Sequence, residues 1–219
     1  LLSLLVMFLI SKPTDAAIDD FLAKVAKSTF SYAAIGATNG EPPEGFNVDH
    51  NRKMIGRGPD DFEHAKDAIR AWKMFDLGWV RLVPAATPIE EGRNVAIVVS
   101  RHRKPHPRNR WPAARRPATR RCESSPAMPP RHRRRAPCRP TGALAGHVGM
   151  GEGRFCVEFD PGAEEVWYDL LAFSRPNALF AKLGYPVSRY LQRSFVRDSK
   201  AAMLRAVNSS WPVALSRLV

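Results

Sequence analysis

The sequence predicts an α+β protein in which a long C-terminal helix lies across a curved antiparallel sheet. Residues 154–159 alternate Phe155, Val157 and Phe159 against Cys156 and Glu158, Asp160-Pro161-Gly162 turns the chain, and residues 165–173 return as a partner strand. From Pro186 to about Val207, the positions Val187, Tyr190, Leu191, Phe195 and Ala202 share one helical face, giving a helix about 30 Å long. Trp79 to Val83 and Asn94 to Val99 read as further strands. The second is a continuous apolar run that demands burial on both faces.

Earlier elements follow from the same rules. With Thr14 or Asp15 as N-cap, Ile18, Phe21, Leu22 and Val25 recur at helical spacing. A loop or edge segment comes next, and Pro42-Pro43-Glu44-Gly45 forms a turn. Gly56-Arg57-Gly58-Pro59-Asp60 leads into a second helix in which Phe62, Ala65, Ile69 and Trp72 share a face, with Pro59 suited to the first turn. Leu1 to Ile10 is almost unbroken apolar sequence. It is shorter than the roughly 20 residues a membrane-crossing helix needs, and no basic residues precede it as in a secretory signal. Met7 reads as a candidate start, with residues 1–6 an apolar extension.

Residues 101–140 stand apart. They hold thirteen Arg, Lys104 and one acid, Glu123, and contain no Leu, Ile, Val, Phe or Tyr. Their net charge equals the +13 of the whole 219-residue chain, so the pI of 10.3 describes this segment, while the remainder is neutral. Such a composition predicts an unfolded tract, because it cannot bury enough apolar area to offset ordering entropy. The expected organisation is one domain, residues 7–100 and 141–208, interrupted by the tract at 101–140 and followed by a tail at 209–219. Cys156 is the sole cysteine outside the tract. No disulfide framework is therefore expected in the globular part, and a soluble intracellular setting is the default.

Several phrases resemble a known family. They include Phe30-Ser31-Tyr32 with Gly36-Ala37-Thr38, Ile55-Gly56-Arg57-Gly58, Trp72 with Phe75, and Gly78-Trp79. In the second half they include Gly151-Glu152 with Arg154-Phe155, Val166-Trp167-Tyr168, Phe173-Ser174-Arg175-Pro176, Leu183-Gly184-Tyr185-Pro186 and Arg197-Asp198-Ser199. In order and spacing, over about residues 7–100 and 142–208, they resemble the uncharacterised family catalogued as domain of unknown function nineteen-ninety, found in bacteria and plants. Two departures are Ala143, where the family has Thr, and Gly153, where it has a second Glu. The family has further strands in the interval that the tract occupies. Together with the abrupt ends of the tract and the neutral remainder, the resemblance implies a frame error or misplaced exon between about Ser100 and Thr141, the alternative being an inserted basic disordered loop.

The resemblance also implies a helix-grip, START-like architecture, a group whose members bind apolar small molecules between helix and sheet. On that reading the protein is a non-catalytic binder whose cavity is lined by Trp79, Phe155, Trp167, Tyr168, Leu171, Tyr190 and Phe195. His147, Glu152, Ser174 and Arg175 are its polar candidates. An enzyme using His147 and Glu152 as acid and base is a second reading, although a hydrogen-bonded His147 in a Gly-rich bend and a structural Arg175 at a strand end are the simpler roles. Membrane association is a third, resting on the apolar run Leu1 to Ile10 and on the resemblance to plant members linked to the plastid envelope. Polyanion or nucleic-acid binding through Arg101 to Pro140 is a fourth, sequence-blind and salt-dependent.

Other chemistry finds little footing. Cys122, His132 and Cys138 lack structural-zinc spacing. Gly149, Gly151 and Gly153 do not form a phosphate-cradling G-x-G-x-x-G. Neither a metal nor a cofactor is expected.

Overall fold

The computed structural model describes residues 2–7, 13–26, 28–85, 87–90, 92–99, 134–136, 138, 140–143, 149–176 and 179–209. Its centre is the predicted hairpin, β7 (Gly149–Asp160) with β8 (Glu165–Pro176), paired antiparallel along its whole length. Asp160 closes the turn by accepting the N–H groups of Gly162 and Ala163 at 3.1 and 3.2 Å.

On the β8 side lies β2 (Asn47–Arg57), an eleven-residue antiparallel strand where the sequence predicted only loop or edge. Its run Asp49-His50-Asn51-Arg52-Lys53 carries no alternation of apolar and polar residues, so periodicity gave no strand signal. On the β7 side lie β5 (Arg134–Arg135) and β6 (Pro140–Ala143), two halves of one interrupted strand against the same edge. Beyond β6 come β1 (Leu2–Met7), β4 (Asn94–Val99) and β3 (Val80–Val83), giving the order β2-β8-β7-β6-β1-β4-β3 in an open sheet. The sheet is antiparallel except at β1, which runs parallel to both β4 and β6. Residues read as an apolar extension therefore join the two halves of the sheet.

The C-terminal end of the basic tract corrects two expectations. Arg134 and Arg135 pair with Phe159 and Glu158, and Ala136 donates its N–H to the Val157 carbonyl. Cys138 is disulfide-bonded to Cys156, with the Cα atoms 5.0 Å apart. The expected unfolded state thus does not extend to Pro140, and the globular part does contain a disulfide. Composition hid both, because β7 supplies the apolar surface and the partner thiol that residues 134–140 lack by themselves. Residues 101–133, which hold most of the tract, lie outside the described residues.

Among the described residues, three helices cover the sheet. α1 (Asp15–Val25) is capped by the Thr14 hydroxyl, which accepts the Ala17 N–H at 3.2 Å, and it buries Ile18 against Ala96 and Val98. α2 (Gly58–Arg70) has Pro59 in its first turn and buries Phe62, Ala65 and Ala68. A 3-10 turn at Lys73–Phe75 follows it. α3 (Leu179–Ser209) is 31 residues long, starting before the predicted Pro186 and ending just past Val207. α2 and α3 pack together on the face that displays Phe155, Val157, Phe159, Val166, Tyr168 and Leu170. Among the described residues no helix is long and apolar enough to cross a membrane, which leaves strand-based crossing unaddressed.

Because β1 is paired on both sides, a proline in it removes a ladder donor from the sheet interior. Leu5→Pro is expected to lower the thermal midpoint, followed by circular dichroism, by about 5 °C or more. An unchanged midpoint would show that β1 does not join the halves.

Candidate functional site

The alternation along β7 and β8 gives the hairpin two chemically different faces. One is the apolar floor beneath α2 and α3. The other carries Glu152, Arg154 and Glu158 from β7 and Asp169 from β8, all buried. Buried charge is costly unless paired and hydrogen-bonded, and here each carboxylate has partners. Glu152, only 4% exposed, accepts from the Tyr32 hydroxyl at 2.9 Å, the Gly36 N–H at 2.7 Å and the Thr38 N–H at 3.0 Å, and also from the Thr38 hydroxyl. Arg154 donates to the Thr38 carbonyl and to Asp169 at 3.1 Å. The other Asp169 oxygen lies 2.7 Å from His50 Nε2. Glu158 receives Arg52 at 2.7 Å and Arg135 at 2.6 Å.

This network holds the 31–39 segment to the sheet. Each missing partner of a buried carboxylate costs about 1–3 kcal/mol, so removing that segment would strand Glu152. Gly151, next in line, has φ near +150°, and a Cβ there would lie 2.0 Å from the Phe173 carbonyl oxygen, which restricts the position to glycine. Burial first, then the Glu152 charge and its hydrogen bond, push the Tyr32 phenol well above its ordinary pKa.

The apolar face contains a cleft of about 140 Å³. Its walls are Lys66, Ile69 and Arg70 on α2, Trp72 and Met74 just beyond it, and Ile89 from the loop after β3. Phe155 and Val157 of β7 and, from the 134–143 segment, Ala136 and Thr141 complete it. Trp72 Nε1 donates to the Thr87 carbonyl at 2.6 Å and the Thr141 hydroxyl to the Gly153 carbonyl at 2.9 Å. Their polar atoms are thereby engaged with backbone, and the interior of the cleft is apolar.

The residues nominated from sequence are dispersed. Phe155 lines the cleft, and Phe195 packs on it with ring centroids 6.1 Å apart. Trp79 and Tyr168 lie buried beneath α3, the indole donating to Asp198 at 3.0 Å and the phenol 2.7 Å from the Ser199 hydroxyl. Burial, opposed by that hydroxyl contact and aided by the Asp169 charge, also pushes the Tyr168 phenol up. Trp167 and Leu171 point to the ionic face, Trp167 with the Arg52 guanidinium 4.7 Å above its ring. Tyr190 is 55% exposed. Glu152 belongs to the ionic face and Ser174 to the end of β8. Arg175, exposed, stacks 4.9 Å over Phe46. His147 lies outside the described residues.

Sequence reasoning missed Tyr32, Thr38, His50 and Asp169, and on the apolar side Lys66, Ile69, Met74 and Ile89. Charged residues at even positions along β7, Glu152, Arg154 and Glu158, were the available signal for a charged inner face. Among the described residues, no cluster of three or more His, Cys, Asp or Glu is arranged to hold a metal.

The sequence model of the family described as "Domain of unknown function (DUF1990)" matches residues 31–202. The chain belongs to this family. A UPF0548 protein of Arabidopsis thaliana is 34% identical, with 76% of each chain covered. A UPF0548 protein of Dictyostelium discoideum is 30% identical over 93% of this chain and 97% of the relative. One from Deinococcus radiodurans is 32% identical over 91% and 98%. No solved structure matches. The matched span contains the ionic network from Ser31 onward and every lining residue of the cleft.

The two raised phenols give alkaline pH a definite sign. In the folded protein Tyr32 and Tyr168 keep protons that the unfolded chain releases near pH 10, so stability is full below about pH 10 and falls above it. Lys200, lowered by burial and then by Lys53, acts in the opposite sense as a single half-buried group. Urea unfolding between pH 8 and 11.5 should show a falling midpoint, with a shallower fall in Tyr32→Phe. Equal slopes in the two proteins would contradict the assignment.

Proposed function

We propose that this protein binds a small apolar molecule in the cleft between α2 and β7. The observation that carries this reading is an apolar cavity of about 140 Å³ whose polar lining atoms are engaged elsewhere. An apolar cavity of about 150 Å³ stays dry and takes up benzene or xenon. Full-sized ligand pockets are larger, roughly 300–1,000 Å³. The fitting occupant is therefore one ring or a short alkyl chain.

The position of the cleft supports the same reading. Its floor, Phe155 and Val157, is fixed by strand pairing, while one wall consists of Ala136, just after β5, and Thr141 of β6, with the Cys138–Cys156 disulfide between them tying this wall to β7. A rigid floor with a separately fastened wall gives a small molecule a way in without opening the main core.

Titration with benzyl alcohol or indole, read by ligand-observed NMR and by thermal shift, tests this. Saturable binding with a Kd of about 1 mM or tighter is expected, and Ala136→Leu, which fills the cleft from its half-buried edge, should weaken it at least about tenfold. Unchanged uptake in Ala136→Leu, or none in the parent protein, would sink the reading.

A further inference from the structure

We infer that the ligand of this cleft is an amphiphile with one anionic group, a carboxylate on a single ring or short chain, seated at the mouth against Lys66 and Arg70. The inference rests on the cleft-binding reading above and specifies the chemistry of its ligand.

Of the ten lining residues two are cationic and none is acidic. Lys66 and Arg70 are four residues apart on α2, hence neighbours on one helix face, and Ile69 beside them also lines the cleft. The two cations therefore flank one opening. Their existing partners do not compete strongly for them. Lys66 pairs with Glu63 and Arg70 with Asp67, each three residues back on the same helix, and those acids are 62% and 70% exposed. The Arg70–Asp67 pair, exposed at both ends, contributes little and is screened by salt, and the Glu63 carboxylate, open to solvent, can turn away from Lys66.

Lys66 differs from an ordinary surface lysine. Its side chain is only 20% exposed, and its ammonium lies 5.2 Å from the centroid of the Phe62 ring. The partial desolvation that makes a lone ammonium uncomfortable makes a second negative partner more valuable there than in open water. Arg70 adds a planar fork suited to a carboxylate. Because it lies in the last turn of α2, the helix dipole opposes an anion beside it. Lys66, a turn earlier, is the principal partner.

The interior fixes the ligand's orientation. Trp72 Nε1 and the Thr141 hydroxyl are committed to the Thr87 and Gly153 carbonyls, so a polar ligand end finds no donor inside. The favourable pose puts the ring or chain on Phe155 and Val157 and the charged group outward. Lys66 and Arg70 thus act as a filter favouring acids over neutral molecules of the same shape.

The test compares phenylacetate with 2-phenylethanol, which have the same ring and reach but differ in charge, by NMR titration of the intact protein at 50 mM and 500 mM salt. Phenylacetate is expected to bind about tenfold more tightly at low salt, with the preference shrinking at high salt. It should approach parity with 2-phenylethanol in Lys66→Met/Arg70→Met, the ratio of the two affinities being the readout. Arg70→Gln, at an exposed position, provides a milder variant that should lose part of the preference if the double variant folds poorly. Equal binding of the two compounds, or a preference that survives both variants, overturns this inference and leaves the cleft reading intact. No binding of either compound overturns both.

Discussion

The β7–β8 hairpin has to bury both of its faces, and one of them is ionised. An antiparallel sheet commonly leaves one face to solvent, yet here Glu152, Arg154, Glu158 and Asp169 all lie beneath other chain segments. This is tolerable only because covering segments bring matching groups. Residues 32–38 supply four donors to Glu152, β2 supplies His50 and Arg52, and β5 supplies Arg135. The net energy of such a network is modest, since desolvation offsets attraction, but loss of one partner is severe. Its consequence is geometric. It fixes where the 31–39 segment, β2 and β5 sit on the hairpin.

That fixing reaches the opposite face. Arg135 and Cys138 are held to β7 on the ionic side by Glu158 and Cys156, while Ala136 and Thr141 form one wall of the apolar cleft. α2 forms the other wall. It is anchored through Phe62 stacked on Phe159 at 5.6 Å and through the Asp61 carboxylate accepting the Arg57 N–H at 2.7 Å. The cleft exists because α2 and the 134–141 segment are each bound to β7 but leave a gap between themselves. The charged face positions the apolar site.

Where local pattern decides structure, the sequence was legible. Phe155, Val157 and Phe159 announced β7, the apolar run from Val95 to Val99 announced β4, and Thr14 and Pro59 marked two helix starts. β2 was illegible because its pairing depends on β8 and on the helices, not on its own alternation. Residues 134–143 were obscured by the arginine-rich composition around them, and β1 by an apolar run that has no partner within reach in sequence. The partners of the ionic face could not be read, since Tyr32 and Glu152 are 120 residues apart. The cleft was only half legible. Phe155 lines it while Trp167 and Tyr190 lie elsewhere; Ile69 reads only as part of the apolar face of α2, and Lys66 carries no apolar signal.

The buried Glu152 carboxylate holds residues 36–38 to the hairpin. Native-state hydrogen exchange of the Gly36 and Thr38 amides tests it most directly, because both donate to that carboxylate and belong to a short segment that has no strand pairing of its own. Protection within about tenfold of the β7–β8 ladder amides is expected, with that protection lost in Glu152→Gln while the ladder remains protected. Exchange at free-loop rates in the parent protein would contradict it.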